Sequence, residues 1–168
     1  MSAVKEIIKW VLIFAGVFIV QTIMIPKIAI FGIYPDLVLI LLFVVSVQYG
    51  IVAGIWCGFF VGLLIDVFSS GLLGANALAK TLIGGCAGFL ERKNILIAPI
   101  LLLILLLLVI IIHDIIVYIP NIYVYKESVV ELPKFLFFNS LPRAIYTVLT
   151  ATVLYIISDL LFALKIRR

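Results

Sequence analysis

Long apolar segments separated by short polar, glycine or proline breaks dominate the chain. Their residues are not alternately polar and apolar, so the pattern predicts helices rather than strands. A membrane-spanning helix needs roughly 20 apolar residues. Six segments approach that length, at about residues 8–25, 36–47, 51–68, 75–90, 95–119 and 141–163. The pattern predicts an all-α integral membrane protein with six transmembrane helices in a single domain, 1–168.

The second segment is the shortest of the six. It begins after Pro35-Asp36 and reaches about Val47, which is short for a full span. We expect it to be tilted, half-inserted or embedded among other helices. The uncharged residues 48–50 that follow predict a tight turn into the third segment.

Prolines set the predicted ends of the last two segments. The fifth is expected to close at Ile119, before Pro120. The sixth is expected to begin near Leu141, with Ser140 as its N-cap and Pro142 in its first turn, since both residue types favour helix starts.

Small residues recur at helical spacing in the third and fourth segments. They are Gly50, Gly54, Gly58 and Gly62 in the third, and Gly84 and Gly88 in the fourth. Glycines four apart open a groove into which another helix backbone packs in a bilayer. The groove drifts by about 40° per step, so we expect its inner glycines to pack against one helix and its outer ones against another. The same face is a candidate surface for a partner helix.

Composition supports the membrane class. The chain of 168 residues is 67% hydrophobic and 12% charged, against about 25% charged in soluble domains. The short alternating strands of outer-membrane barrels are absent from the sequence. The net charge of +4 does not indicate nucleic-acid binding, because the basic residues flank the apolar segments.

The basic residues also predict orientation, because cytoplasmic loops of membrane proteins are enriched in lysine and arginine. Six spans place both termini on one side. That side carries Lys5, Lys9, Arg92, Lys93, Lys165, Arg167 and Arg168, and the other carries Lys27, Lys126, Lys134 and Arg143. The excess predicts that both termini lie in the cytoplasm.

Most charges inside the segments fall in their outer halves. They are Asp36, Asp66, Lys80, His113, Asp114 and Arg143. Ionisable groups at membrane depth are costly and mark sites of function or buried pairs. Two interpretations stay open: a buried ion-pair network that fixes helix packing, with Asp66 and Lys80 as the first pair, or an outward-facing pocket for a ligand or partner segment.

Catalytic and metal-binding patterns find little support. His113 is the single histidine, whereas zinc sites need three or four ligands. Ser69 and Ser70 have no histidine base in their sequence context, and no phosphate-binding loop is found. We expect no enzyme activity, no metal and no cofactor. Cys57 and Cys86 are interpreted as small apolar residues.

Two stretches resemble a known family. Residues 35–39, PDLVL, open the short second segment, and residues 58–74, GFFVGLLIDVFSSGLLG, carry a G-x-x-x-G-L-x-x-D run. Together with the length, the six-segment layout and the basic ends, they resemble MreD, the rod shape-determining membrane protein family of bacteria.

The resemblance implies a non-enzymatic scaffold in the bacterial cytoplasmic membrane. Members of that family act with MreC, a single-span protein, in the cell-wall elongation machinery that makes peptidoglycan. The actin-like MreB, a SEDS-family glycosyltransferase and a penicillin-binding transpeptidase would be indirect partners.

The family is also similar in fold to the substrate-binding subunits of energy-coupling-factor transporters, which have six helices and an outward-facing pocket. This similarity implies an alternative function, a solute-binding subunit of a vitamin-type transporter. The A-x-x-x-A motif by which such subunits dock on an ATPase module is missing, because Ile19 stands four residues after Ala15.

Overall fold

The computed structural model describes residues 2–69, 71–90, 99–125 and 131–166, and within these ranges the chain is helical apart from turns and one isolated bridge between Ile30 and Ile33. The helices are α1 (Ser2–Ile23), α2 (Leu37–Tyr49), α3 (Ile51–Phe68), α4 (Ala75–Gly88), α5 (Pro99–Tyr125), α6 (Leu132–Phe135) and α7 (Leu141–Ile166). The prediction of an all-α protein is confirmed. The predicted start of the fifth segment lies outside the described residues.

Four of the described helices are long and apolar enough to cross a membrane. They cover Lys5–Ile23, Ile51–Phe68, Ile100–Val124 and Leu132–Ile157. By contrast, α2 has 13 residues and α4 has 14, which corresponds to roughly 20 Å of helix against a hydrocarbon core of about 30 Å. The described chain therefore has four candidate spans by length and composition.

The short helix α2 lies in the centre of the bundle. Val38, Leu39 and Leu42 are completely buried, and other faces of the helix are buried as well. A helix that is hydrophobic all round belongs inside a protein. Of the three arrangements that the sequence left open for this segment, embedding among other helices is the one observed.

Gly50 joins α2 to α3 in the tight turn that the sequence predicts. Its φ is 84°, a conformation that glycine adopts without steric cost. Its N–H donates to the Ser46 carbonyl at 2.8 Å, which closes the end of α2. Gly50 thus lies in the turn rather than within α3. Its backbone is close to Gly88, because a Cβ added at Gly88 would lie 2.7 Å from the Gly50 carbonyl carbon.

Helices α3 and α4 pack backbone against backbone along a seam of glycines. A Cβ added at Gly54, Gly58 or Gly62 would come closer than 3.0 Å to backbone atoms of α4, at Gly84, Lys80 and Ala77 respectively. The same holds on the α4 side, where a Cβ added at Gly84 or Gly88 would meet backbone atoms of Gly54 or Ile51 in α3. We call these contacts the glycine seam.

The glycine seam corrects the prediction that inner and outer glycines pack against different helices. Gly54, Gly58 and Gly62 all face α4. The absence of a Cβ at these three positions of α3 lets the backbone of α4 follow the groove as it winds, so one neighbour fills it.

Helix α7 begins at Leu141 as predicted, but the predicted end of the fifth segment and the predicted N-cap of the sixth are wrong. The helix from Leu132 continues through Pro133 into a π-helical turn, Leu136–Ser140, and then into α7, so Ser140 is not an N-cap. A proline lacks an N–H and its ring crowds the carbonyl four residues back. The wider π turn lies directly before Pro142, where it leaves room for the proline ring. Helix α5 likewise continues past Pro120 to Tyr125.

The seam predicts that a single methyl group destabilises the bundle at Gly58. Overpacking costs about 1–3 kcal/mol, and we expect Gly58→Ala near the upper end because the obstructing atoms belong to the backbone of Lys80 and Thr81. The measurement is the midpoint of thermal unfolding of the purified chain in detergent.

Gly16→Ala is the matched control, because a Cβ at Gly16 in α1 would meet nothing within 4 Å. We expect Gly16→Ala to unfold at the same temperature as the unmodified chain or slightly above it, because alanine favours a helix over glycine by up to about 1 kcal/mol. Equal midpoints for the two variants would contradict the packing of α3 on α4.

Candidate functional site

Asp36 lies where α2 begins and is 4% exposed. Its Oδ1 accepts a hydrogen bond from the N–H of Leu39 at 2.8 Å, and its own N–H donates to Oγ1 of Thr147 in α7 at 3.1 Å. The carboxylate therefore caps α2, since an oxygen at this position satisfies one of the free amides of the first turn. Its second oxygen, Oδ2, is left to face other side chains.

Arg143 connects Asp36 to α5. Its Nη2 donates to Asp36 Oδ2 at 2.7 Å, and its Nη1 donates to Asp114 Oδ1 at 2.7 Å. One guanidinium group from α7 thus holds two carboxylates from two other helices. Such charge-assisted hydrogen bonds are about twice as strong as neutral ones.

Lys80 and His113 close the arrangement into a ring. Lys80 Nζ is 2.8 Å from His113 Nε2, and His113 Nδ1 is 3.1 Å from Asp114 Oδ1. Lys80 Nζ also lies 3.7 Å from Asp36 Oδ2. We call Asp36, Lys80, His113, Asp114 and Arg143 the polar ring.

The partners of His113 assign its proton. An ammonium group has only donors, so His113 Nε2 accepts from Lys80, and Nδ1 carries the hydrogen that it donates to Asp114. The ring then contains two carboxylates, two cations and a neutral imidazole. Because an unpaired buried charge is strongly destabilising, this balance accounts for the burial of Lys80, His113 and Asp114, which are 1–3% exposed.

Asp66 lies outside the polar ring. Its two oxygens accept four hydrogen bonds at 2.9–3.1 Å, from the backbone N–H groups of Gly74, Asn76 and Ala77 and from the Asn76 amide. The predicted pair of Asp66 with Lys80 is therefore wrong. The free amides at the start of α4 satisfy the carboxylate of Asp66, while the side chain of Lys80 faces His113 and Asp36.

Sequence reasoning missed two residues that support the ring. Thr147 is fully buried and lies one helical turn after Arg143, on the same face of α7. Gln21 in α1 holds the start of α2, because its amide donates to the Pro35 carbonyl and accepts from the N–H of Leu37. The sequence does carry a signal for Gln21, because it is an amide side chain inside the apolar first segment.

A cavity of about 620 Å³ opens beside the polar ring. Its polar lining residues are Gln21, Thr22, Tyr34, Asp36, Ser69, Asn76, Lys80, Asn139 and Arg143. Phe18, Ile65 and Phe68 are among its apolar lining residues. This volume falls within the usual range of small-molecule sites.

The described residues offer little for catalysis or metal binding. None of them form a group of three or more His, Cys, Asp or Glu side chains that could hold a metal ion. Both ring nitrogens of His113 are occupied by Lys80 and Asp114. The arrangement is suited to holding helices together and to binding an anion from the cavity side.

Comparison with known proteins decides the family. The family of the rod shape-determining protein MreD matches residues 4–165, nearly the whole chain. The chain belongs to the MreD family. This confirms the resemblance seen in the sequence and makes the chain a rod shape-determining membrane protein by family. No curated protein and no solved structure matches it, so the transporter alternative gains no support.

Arg143 is the centre of the polar ring in this MreD-family chain, so we predict that Arg143→Gln strongly destabilises it. Removing one partner of a buried pair costs about 3–5 kcal/mol, and this substitution leaves Asp36 and Asp114 without their shared cation. The midpoint of thermal unfolding in detergent is the measurement.

Lys134→Gln provides the control, because Lys134 is an exposed cation in α6, which continues through the π turn into the helix of Arg143. We expect it to change the midpoint little, since exposed charges contribute about 0–1 kcal/mol. A comparable loss in both variants would show that Arg143 acts only through net charge.

For Asp66 we predict a local effect at the start of α4. Asp66→Asn replaces one acceptor oxygen with a donor and should cost about 1–2 kcal/mol, as does loss of other helix caps. Hydrogen exchange should become faster at the amides of Asn76 and Ala77 but not in α5. Glu131→Gln, which changes an exposed carboxylate, is the control and should leave hydrogen exchange in α4 unchanged. If Asn76 and Ala77 are protected in Asp66→Asn as well as in the unmodified chain, the capping role of Asp66 is contradicted.

Proposed function

We propose that this chain is a non-enzymatic membrane scaffold of the cell-wall elongation machinery and that it binds the single membrane span of MreC. The observation that carries the proposal is the match to the MreD family over residues 4–165. The chemistry of the buried charges supports it, because the polar ring satisfies its charges among its own members. A rigid bundle is what a scaffold requires.

We further propose that α1, α2, α3, α4, α5 and α7 all cross the bacterial cytoplasmic membrane, with both termini in the cytoplasm. The short helices α2 and α4 are consistent with this arrangement because a carboxylate caps each of them, Asp36 on α2 and Asp66 on α4. Backbone groups at membrane depth must be satisfied within the protein. The polar ring then lies in the outer half of the bilayer.

The glycine seam restricts where MreC binds. A Cβ at Gly54, Gly58 or Gly62 already meets the backbone of α4, so no room remains there for a partner helix. The seam is therefore not the partner surface for which the sequence made it a candidate. In our proposal MreC packs on the outward faces of the bundle, and MreB, the glycosyltransferase and the transpeptidase are reached through MreC.

Copurification from bacterial membranes tests the proposal. The tagged full chain is expressed with MreC, and separately with an MreC in which an unrelated single-span helix replaces the native span. We expect native MreC to copurify and the exchanged protein to be lost, because recognition takes place between helices in the bilayer.

Cell shape supplies the second measurement in the organism that carries the gene. Depletion of the chain should convert rods into rounded cells, and re-expression should restore them. Equal recovery of both MreC forms, or of neither form, would contradict direct binding of the span, and unchanged rod shape after depletion would contradict the role in elongation.

A further inference from the structure

The cavity beside the polar ring has a charged side and an apolar side. Asp36, Lys80 and Arg143 line it from α2, α4 and α7, whereas Phe18, Ile65 and Phe68 line it from α1 and α3. A pocket with this division suits a molecule with a polar group at one end and an apolar body.

The charged side favours an anion. Both cations of the polar ring, Lys80 and Arg143, line the cavity, but only one of the two carboxylates, Asp36, does so. Asp114 is among the ring members that do not line it. The lining therefore carries an excess of one positive charge, although the ring as a whole is neutral.

Hydrogen-bond donors remain for such an anion. The Lys80 ammonium has three N–H donors, of which one is used by His113, and Asp36 at 3.7 Å is beyond hydrogen-bond distance. Arg143 has five and donates one hydrogen from each Nη to a carboxylate, so each Nη keeps a second one. Arginine and lysine together are suited to phosphate, because one offers a planar fork and the other a point charge.

The apolar side of the cavity lies at the lateral surface of the bundle, beside α1 and α3. The rings of Phe18 and Phe68 are 5.5 Å apart and bridge α1 and α3, and Phe68 is 68% exposed. In a membrane this surface meets lipid. Because Phe68 both lines the cavity and is exposed, an apolar chain can leave the cavity over its ring without crossing the packed core.

We propose that the cavity binds the phosphate group of an anionic membrane lipid. The phosphate accepts hydrogen bonds from Lys80 and Arg143, and the acyl chains pass over the exposed ring of Phe68 into the bilayer. Basic pockets between transmembrane helices bind anionic headgroups in this way. A soluble phosphate ester offers the same phosphate without the chains, and the experiment separates the two.

The experiment is native mass spectrometry of the delipidated full chain in detergent, titrated with phosphatidylglycerol, phosphatidylcholine or glycerol 3-phosphate. Phosphatidylcholine carries phosphate but no net charge, and glycerol 3-phosphate lacks acyl chains. We expect phosphatidylglycerol to bind at least about tenfold more tightly than either, a difference of about 1.4 kcal/mol. Equal binding of the two lipids overturns the proposal, and glycerol 3-phosphate binding as tightly as phosphatidylglycerol overturns its lipid part.

A pair of variants locates the site without disturbing the polar ring. Thr22 lines the cavity and is exposed, so Thr22→Trp fills the cavity from its edge. Ile19 is 56% exposed on the same helix and is not among the lining residues, so Ile19→Trp is the matched control. We expect the first variant to weaken phosphatidylglycerol binding by about tenfold or more and the second to leave it unchanged; unchanged binding in both places the lipid elsewhere and overturns the proposal.

Discussion

The hydrogen bonds from Arg143 to Asp36 and Asp114 are the interaction on which the rest of the bundle depends. They tie α7 to the start of α2 and to the middle of α5 at 2.7 Å each. Lys80 and His113 complete the ring and bring in α4. Charges buried this deeply are tolerated only when they are paired, so the helices that carry them are held at one arrangement.

The glycine seam and the polar ring meet at Lys80. The backbone carbonyl of Lys80 lies against Gly58, while its ammonium group contacts His113. Close packing of α3 on α4 therefore sets the position from which Lys80 reaches the ring. Apolar packing and electrostatics are thus coupled through one residue, and the cavity beside it depends on both.

Much of this architecture could be predicted from the sequence, because apolar length and helical depth are properties of the chain itself. The convergence of Asp36, Lys80, His113, Asp114 and Arg143 followed from their similar depth. Direction around each helix is not readable from the sequence, so the sequence predicts a pair of Asp66 with Lys80, whereas Asp66 accepts from the backbone amides of α4. The continuous helix through Ser140 is also not predictable, since a π turn leaves no composition signal.

The most direct test of the polar ring is a double-mutant cycle on Asp114 and Arg143. The free energy of unfolding in detergent is measured for the unmodified chain, for Asp114→Asn, for Arg143→Gln and for the double variant. If the ring holds the helices together, the double variant should lose less than the sum of the single losses, with a coupling of about 1–3 kcal/mol, as expected for residues in one network. Additive losses would show that the two residues act independently and would contradict the ring as the interaction that organises the bundle.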